Sequence, residues 1–152
     1  MQIINTANLN EARKQADKLR KEAKPIVILS QEDEFNRKAL EIKGLNMLII
    51  NESLNQKDYM KQRNSGLNEI LANICAEKNI EIGIQIDEII KKNDVEKARA
   101  LSRLMQNIML CKKAGTKLVF VGKIGDKKAL QSILLSFGAS TKQSFEAIKQ
   151  HF

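Results

Sequence analysis

The sequence predicts an α/β fold built on a parallel sheet. Three observations carry this. Short apolar runs at Gln2–Asn5 (QIIN), Ile26–Leu29 (IVIL), Met47–Ile50 (MLII) and Leu118–Val121 (LVFV) read as strands, the last three as strands buried on both faces. Helical stretches with one apolar face separate them, and strand–helix alternation of this kind means right-handed βαβ units. No internal repeat, low-complexity tract or linker interrupts the pattern. Residues 1–152 are therefore read as one α/β domain, a length sufficient for one core.

Taken in order, QIIN is followed by a helix over LNEARKQADKLRKEA, capped by Asn8 or Asn10. Its narrow apolar stripe is Leu9, Ala12, Ala16, Leu19 and Ala23, and Arg13, Lys14, Lys18, Arg20 and Lys21 make a basic, solvated face. Pro25 breaks the chain before IVIL. Ser30 then stands at an N-cap position, with Glu32, Asp33 and Glu34 where a helix dipole favours acids. That helix runs through Phe35, Ala39, Leu40 and Ile42 to a stop at Gly44, ahead of MLII.

Asn51–Ser65 is polar, without a period, and long for a connection in a compact βα unit. It holds Tyr59, Lys61 and Arg63 and leaves the C-terminal end of a strand, where α/β sites gather. Asn64 or Ser65 starts a helix that buries Leu67, Ile70, Leu71, Ile74 and Cys75 and stops at Asn79. Ile80–Ile86 alternates apolar with polar, so one side of this strand meets solvent or a polar interior. A short turn over Asp87–Lys91 precedes a long helix capped by Asn93 or Asp94. Its apolar face is Ala98, Leu101, Leu104, Met105, Ile108 and Cys111, and Arg99 and Arg103 lie off that face, one turn apart. Lys112 and Lys113 suit the last turn, and Gly115 the left-handed stop. After LVFV, the GKIGD turn matches neither a Walker A nor a GxGxxG spacing and reads as a βα turn with Asp126 as cap. The next helix buries Leu130, Ile133, Leu134 and Phe137 up to Gly138, and Ser140-Thr141 caps the last one.

Lysine and arginine number 26 against 18 acids, a formal charge of +8, which favours polyanionic partners. No stretch approaches the roughly 20 apolar residues of a membrane helix, so no membrane partner is expected. The opening MQIINTANLNEARKQ lacks the pattern of a signal peptide, and a cytoplasmic location is the expectation. Cys75 and Cys111, in helices and without CxxC spacing or a nearby histidine, read as small buried residues rather than zinc ligands. The single histidine, His151, rules out histidine-rich metal sites by count and is poorly placed for a Ser–His or Cys–His pair. Glu52, Asp87 and Asp126 are the carboxylates at strand ends that magnesium chemistry would use.

Two stretches then combine. Arg63-Asn64-Ser65-Gly66-Leu67-Asn68 opens one block, and Arg103…Gln106-Asn107-Ile108…Leu110-Cys111-Lys112 closes another. With the strands between and after them, and with ILLSFGAS (Ile133–Ser140), they resemble archaeal and eukaryotic ribonuclease P protein component 3, the family of the human thirty-kilodalton subunit. Residues 63–140 follow the family order, and residues 1–50 fit its opening βα units. The chain departs from the family in being shorter and in having VGKIGDKKAL where an L-R-x-P-x-D stretch is usual; Lys123, Lys127 and Lys128 supply charge there.

The resemblance implies a shortened, TIM-barrel-like fold of parallel βα units, related to the PHP phosphoesterases without their metal histidines. It implies a non-catalytic subunit of a ribonucleoprotein endoribonuclease that removes the 5′ leader of precursor tRNA. The expected partners are the ribonuclease P RNA, precursor tRNA and the component 2 subunit. No cofactor is expected on the protein, and Mg2+ is expected in the RNA subunit. The expected RNA contacts are Arg63, Arg99, Arg103, Lys112, Lys113 and Lys123. Two other readings share the element pattern: a regulatory or interaction domain of flavodoxin-like topology, and a small magnesium-dependent hydrolase on a truncated barrel. The first asks for a doubly wound sheet, the second for clustered carboxylates.

Overall fold

The computed structural model describes residues 1–54 and 57–149; His151 lies outside the described residues. In chain order the elements are β1 (Ile3–Ile4), α1 (Leu9–Lys21), β2 (Ile26–Leu29), α2 (Asp33–Ala39), β3 (Leu45–Ile50), α3 (Glu69–Glu77), β4 (Glu81–Gln85), α4 (Ile86–Ile90), α5 (Asp94–Ala114), β5 (Leu118–Val121), α6 (Lys127–Ser136) and α7 (Thr141–Ala147). All strand pairs are parallel and the order is β1-β2-β3-β4-β5, so each strand neighbours the next in sequence.

The pleat explains why the strand runs are apolar throughout. Ile4, Ile28, Leu48, Ile50, Ile82, Ile84, Leu118 and Phe120 point to one face and pack with residues from all seven described helices. Val27, Met47, Ile49, Val119 and Val121 point to the other and pack only with strand residues, Ile3 and Leu29 among them. The helices therefore lie on one face of the sheet, and the side chains of the opposite face pack on one another. Gly83 leaves room for that packing: a Cβ there would stand 2.7 Å from Met47 Sδ and 2.9 Å from Ile49 Cγ1. This arrangement corrects the flavodoxin-like alternative, which requires the order 2-1-3-4-5 and helices on both faces.

Most helix starts are set by local chemistry. The Asn8, Asn93 and Asp126 side chains accept from the backbone N–H groups of Glu11, Glu96 and both Lys128 and Ala129, and Ser140 with Gln143 forms a capping box. Two starts differ from expectation. α2 begins after Glu32, because Ser30 is buried and its Oγ instead accepts from the Asn51 N–H of the loop after β3, at 3.0 Å. Asn36 steadies that entry by bonding both the N–H and the carbonyl of Gln31. α3 is capped by Asn68, not Asn64 or Ser65, whose groups are used elsewhere.

Three helix faces are also rotated from the sequence reading. α5 buries Ala100, Leu104, Asn107, Ile108 and Cys111, while Ala98 and Met105 are exposed. Ile70 on α3 and Ile133 on α6 are exposed, and Leu71, Ala72, Cys75, Leu130 and Leu134 fill those interfaces. Cys75 and Cys111 are buried free thiols. Burial pushes the pKa of each up to about 12, so neither is a reactive thiolate at neutral pH. Among the described residues no helix is long and apolar enough to cross a membrane.

Candidate nucleic-acid interface

At the C-terminal end of the strands, the loop that follows β3 folds back over the start of α5. The two enclose a cavity of about 550 Å3. Its walls carry five cations, Lys57, Arg63, Lys92, Arg99 and Arg103, against three carboxylates, Glu52, Asp58 and Glu96.

Asp58 organises the cations. Its Oδ1 accepts from Arg103 Nη2 at 3.2 Å and from the Asn64 N–H at 2.8 Å, and its Oδ2 accepts from Arg63 Nη1 at 3.1 Å. Burial pushes this carboxyl up, but the Asn64 N–H and the two guanidinium groups together outweigh it and hold it below the usual carboxylate range. One acid in the loop thus sets the spacing of two arginines from different elements.

The loop is fastened to α5 by an amide clamp. Gln106 Oε1 accepts from the Arg63 N–H at 2.9 Å, and its Nε2 donates to the Arg63 carbonyl at 2.8 Å. One residue on, Asn107 turns inward, where its Oδ1 accepts from Ser65 Oγ at 2.5 Å. Ser65 and Asn107 are both buried, and the Ser65 hydroxyl, which also bonds the Leu67 carbonyl and Gln106 Nε2, satisfies Asn107 Oδ1. Gly66, at φ +79, turns the chain into α3 with its backbone against Ser30 and Ile50. The two halves of the sequence resemblance, RNSGLN and the Gln106-Asn107 stretch, therefore touch in space.

Opposite the clamp, Lys92 Nζ donates to the Glu52 carbonyl at 2.8 Å. The pKa of the Glu52 carboxyl is raised to about 7, because burial penalises its charge more than Lys92 and Arg103 favour it. Arg99 and Lys57 have no hydrogen bond or ion pair among the described residues, and both are exposed.

The structure thus brings Arg63, Arg99 and Arg103 to one pocket. It places Lys112 and Lys113 at the other end of α5, roughly 14 Å further along the helix axis. There Lys112 Nζ donates to the Gly138 carbonyl and Lys113 pairs with Glu69, beside an apolar groove at Met109 and Leu110. Lys123 is exposed in the turn after β5 and does not line the pocket. Tyr59 turns away to donate to Asp33 at the start of α2. Of the strand-end carboxylates, only Glu52 lines the pocket; Asp87 lies against Gly122, and Asp126 is occupied as the cap of α6. Among the described residues, no three of His, Cys, Asp and Glu are grouped to hold a metal ion.

No family model matches the chain. Curated relatives do. The ribonuclease P protein component 3 of Methanococcus vannielii is 30% identical over 123 residues, which are 81% of this chain and 50% of the relative. That of Methanococcus maripaludis strain C7 is 27% identical over the same shares. The chain is similar to ribonuclease P protein component 3. It spans about half the length of the component 3 sequences it matches. A chain in the cryo-EM structure of archaeal ribonuclease P with mature tRNA has the same fold: TM-score 0.72, 21% identity, 90% of this chain and 59% of that one. The crystal structure of an uncharacterized protein follows at TM-score 0.57 and 12% identity, over 86% of this chain and 33% of that one.

The component 3 resemblance points to Arg63 and Arg103, but the sequence does not single out Lys57, Asp58 and Lys92. Nothing local marks them. Asp58 and Arg103 are 45 residues apart, and only the fold makes them partners.

Proposed function

We propose that the chain acts as a protein subunit of ribonuclease P, supporting the catalytic RNA in removing the 5′ leader of precursor tRNA. One observation carries the reading: similarity to component 3 across 81% of the chain. The meeting of Arg63, Arg99 and Arg103 in one recess supports it, as does the charge of +8.

In this reading the protein supplies no chemistry. RNA folding crowds phosphates together, and each lysine or arginine set among them releases counterions and eases that crowding. A-form RNA is met mainly through phosphates and 2′-hydroxyls, which suits a basic surface poor in aromatic residues. The Mg2+ ions belong to the RNA. The partners are the ribonuclease P RNA, precursor tRNA and the component 2 subunit, in the cytoplasm. Lys112, Lys113 and Lys123 are additional phosphate contacts outside the pocket. The scaffold is a TIM-barrel-like and PHP-like one, a reading supported by the sequential strand order and the one-sided helices.

The test is precursor-tRNA cleavage at limiting Mg2+ by catalytic RNA plus component 2, with and without this chain. Stimulation that needs every part is expected. A folded chain that neither stimulates cleavage nor binds structured RNA would sink the proposal.

A further inference from the structure

We propose that the recess between the loop after β3 and the start of α5 is a binding site for a single phosphate ester, presented by an unpaired nucleotide, a chain end or a free mononucleotide. It rests on the RNA-contact reading only in sharing Arg63, Arg99 and Arg103, and the two fail in different experiments.

The shape of the recess suits a single nucleotide. The phosphates of an A-form helix lie on a convex surface, which a flat or broad basic face covers. Here the cations line a concavity of about 550 Å3, within the usual range for a small-ligand pocket. A recess of this size holds one nucleotide.

The charges are arranged for an anion. Asp58 is already occupied by Arg63, Arg103 and the Asn64 N–H, so it holds the two guanidinium groups in place rather than adding an open negative charge. Lys57 and Arg99 keep their donors free at the rim among the described residues. An incoming phosphate therefore meets two uncommitted cations and two preset ones. Arginine presents paired N–H groups that fit phosphate oxygens.

The walls favour the phosphate over the base. Among the described residues no aromatic side chain lines the recess, so there is no platform on which a base could stack. Selectivity falls on the phosphate, and base identity is weakly read.

The experiment is thermal unfolding and NMR titration of the whole chain with inorganic phosphate, with AMP, and with a short single-stranded RNA carrying either a 5′-phosphate or a 5′-hydroxyl. At ~10 mM phosphate, tenfold above a Kd of ~1 mM, Tm is expected to rise by roughly 3–5 °C, and chloride at equal ionic strength to leave it unmoved. Arg99→Gln and Lys57→Gln, both at exposed positions, are each expected to weaken phosphate and AMP binding about tenfold. Lys142→Gln, on the exposed side of α7, is expected to change nothing. Tighter binding of the 5′-phosphorylated RNA than of its hydroxyl twin supports a chain end as the source. Equal binding of the two, each competing with AMP, supports an internal unpaired nucleotide, and AMP binding without either RNA supports a free mononucleotide. The proposal is overturned if no saturable shift occurs, or if Arg99→Gln and Lys57→Gln bind phosphate as the wild type does. A chain that binds structured RNA yet ignores phosphate and AMP loses this site and keeps the ribonuclease P reading; the converse result does the opposite.

Discussion

Gln106 on α5 holds the backbone of Arg63 from both sides, accepting from its N–H and donating to its carbonyl. This is the pairing a β-ladder would give, delivered by one side chain to one loop residue. Gln106→Ala removes both bonds at a partly solvated position, so water recovers part of the loss. The expected cost is about 1 kcal/mol, read as a Tm fall of roughly 2–4 °C, with faster hydrogen exchange at the Arg63 amide. Unchanged exchange there would show that the clamp does not hold the loop in solution.

Asn107 makes a stronger demand because its partner is buried. Asn107→Ala removes one acceptor of the Ser65 hydroxyl, which keeps the Leu67 carbonyl and Gln106 Nε2 as partners, and opens a small void. A loss of roughly 1–2 kcal/mol is expected in urea unfolding. The Asn107→Ala, Ser65→Ala double variant should lose less than the sum of the two single variants; additive losses would rule out the coupling.

The strands are legible because MLII and LVFV place four consecutive residues in the interior and IVIL three, a demand these runs meet without help from the rest of the chain. The caps at Asn8, Asn93, Asp126 and Ser140 are legible for a related reason: donor and acceptor lie within three residues. Ser30 misleads because its hydroxyl serves the Asn51 N–H, 21 residues on. The face of α5 is misplaced through Asn107, a polar residue that periodicity assigns to solvent and that Ser65 draws inside. Arg63, Arg99 and Arg103 line one pocket only because the fold brings the loop to α5, and the acid that spaces two of them belongs to tertiary structure alone.

Glu52 makes stability depend on pH. Its folded value of about 7 lies above the ordinary value of 4.5, so the folded state holds the proton more tightly. This contribution is therefore complete below about 4.5 and is lost as pH rises through about 7, with an upper bound of about 3 kcal/mol. Lys92 and Arg103 oppose the shift, and Lys57, Asp58, Arg63, Glu96 and Arg99 share the same pocket. Glu52→Gln should flatten the profile between pH 5 and 8 and gain most over the wild type at pH 8. Parallel urea midpoints for the two proteins across that range would refute the assignment.

Arg99 and Arg103 separate binding from folding. Arg99→Ala removes a free cation and should leave Tm within about 1 °C. Arg103→Ala also strips Asp58 of a partner and should cost roughly 1–2 kcal/mol. For the double variant, RNA affinity should fall and the slope of log K against log salt should drop by about 1.5–2. An unchanged slope in filter binding would remove both residues from the interface.

Gly83 tests the packing of the sheet face that carries no helices. In Gly83→Ala the new Cβ meets Met47 Sδ and Ile49 Cγ1 at distances real contacts do not show, so the sheet must open or the side chains shift. A loss of about 1–3 kcal/mol is expected, with part recovered in a Met47→Ala background in a double-mutant cycle.

Four fastenings of the loop after β3 lie within residues 92–107. Lys92 holds Glu52, Arg103 holds Asp58, Gln106 holds Arg63 and Asn107 holds Ser65. Three of the four anchor the loop to one rod, α5, and Ser30 and Asp33 tie it to the other side. That rod is about 30 Å long, and its far end is pinned by Lys112 to Gly138 and by Lys113 to Glu69. α5 thus joins the loop after β3, at one end, to the corner between α6 and α7 at the other.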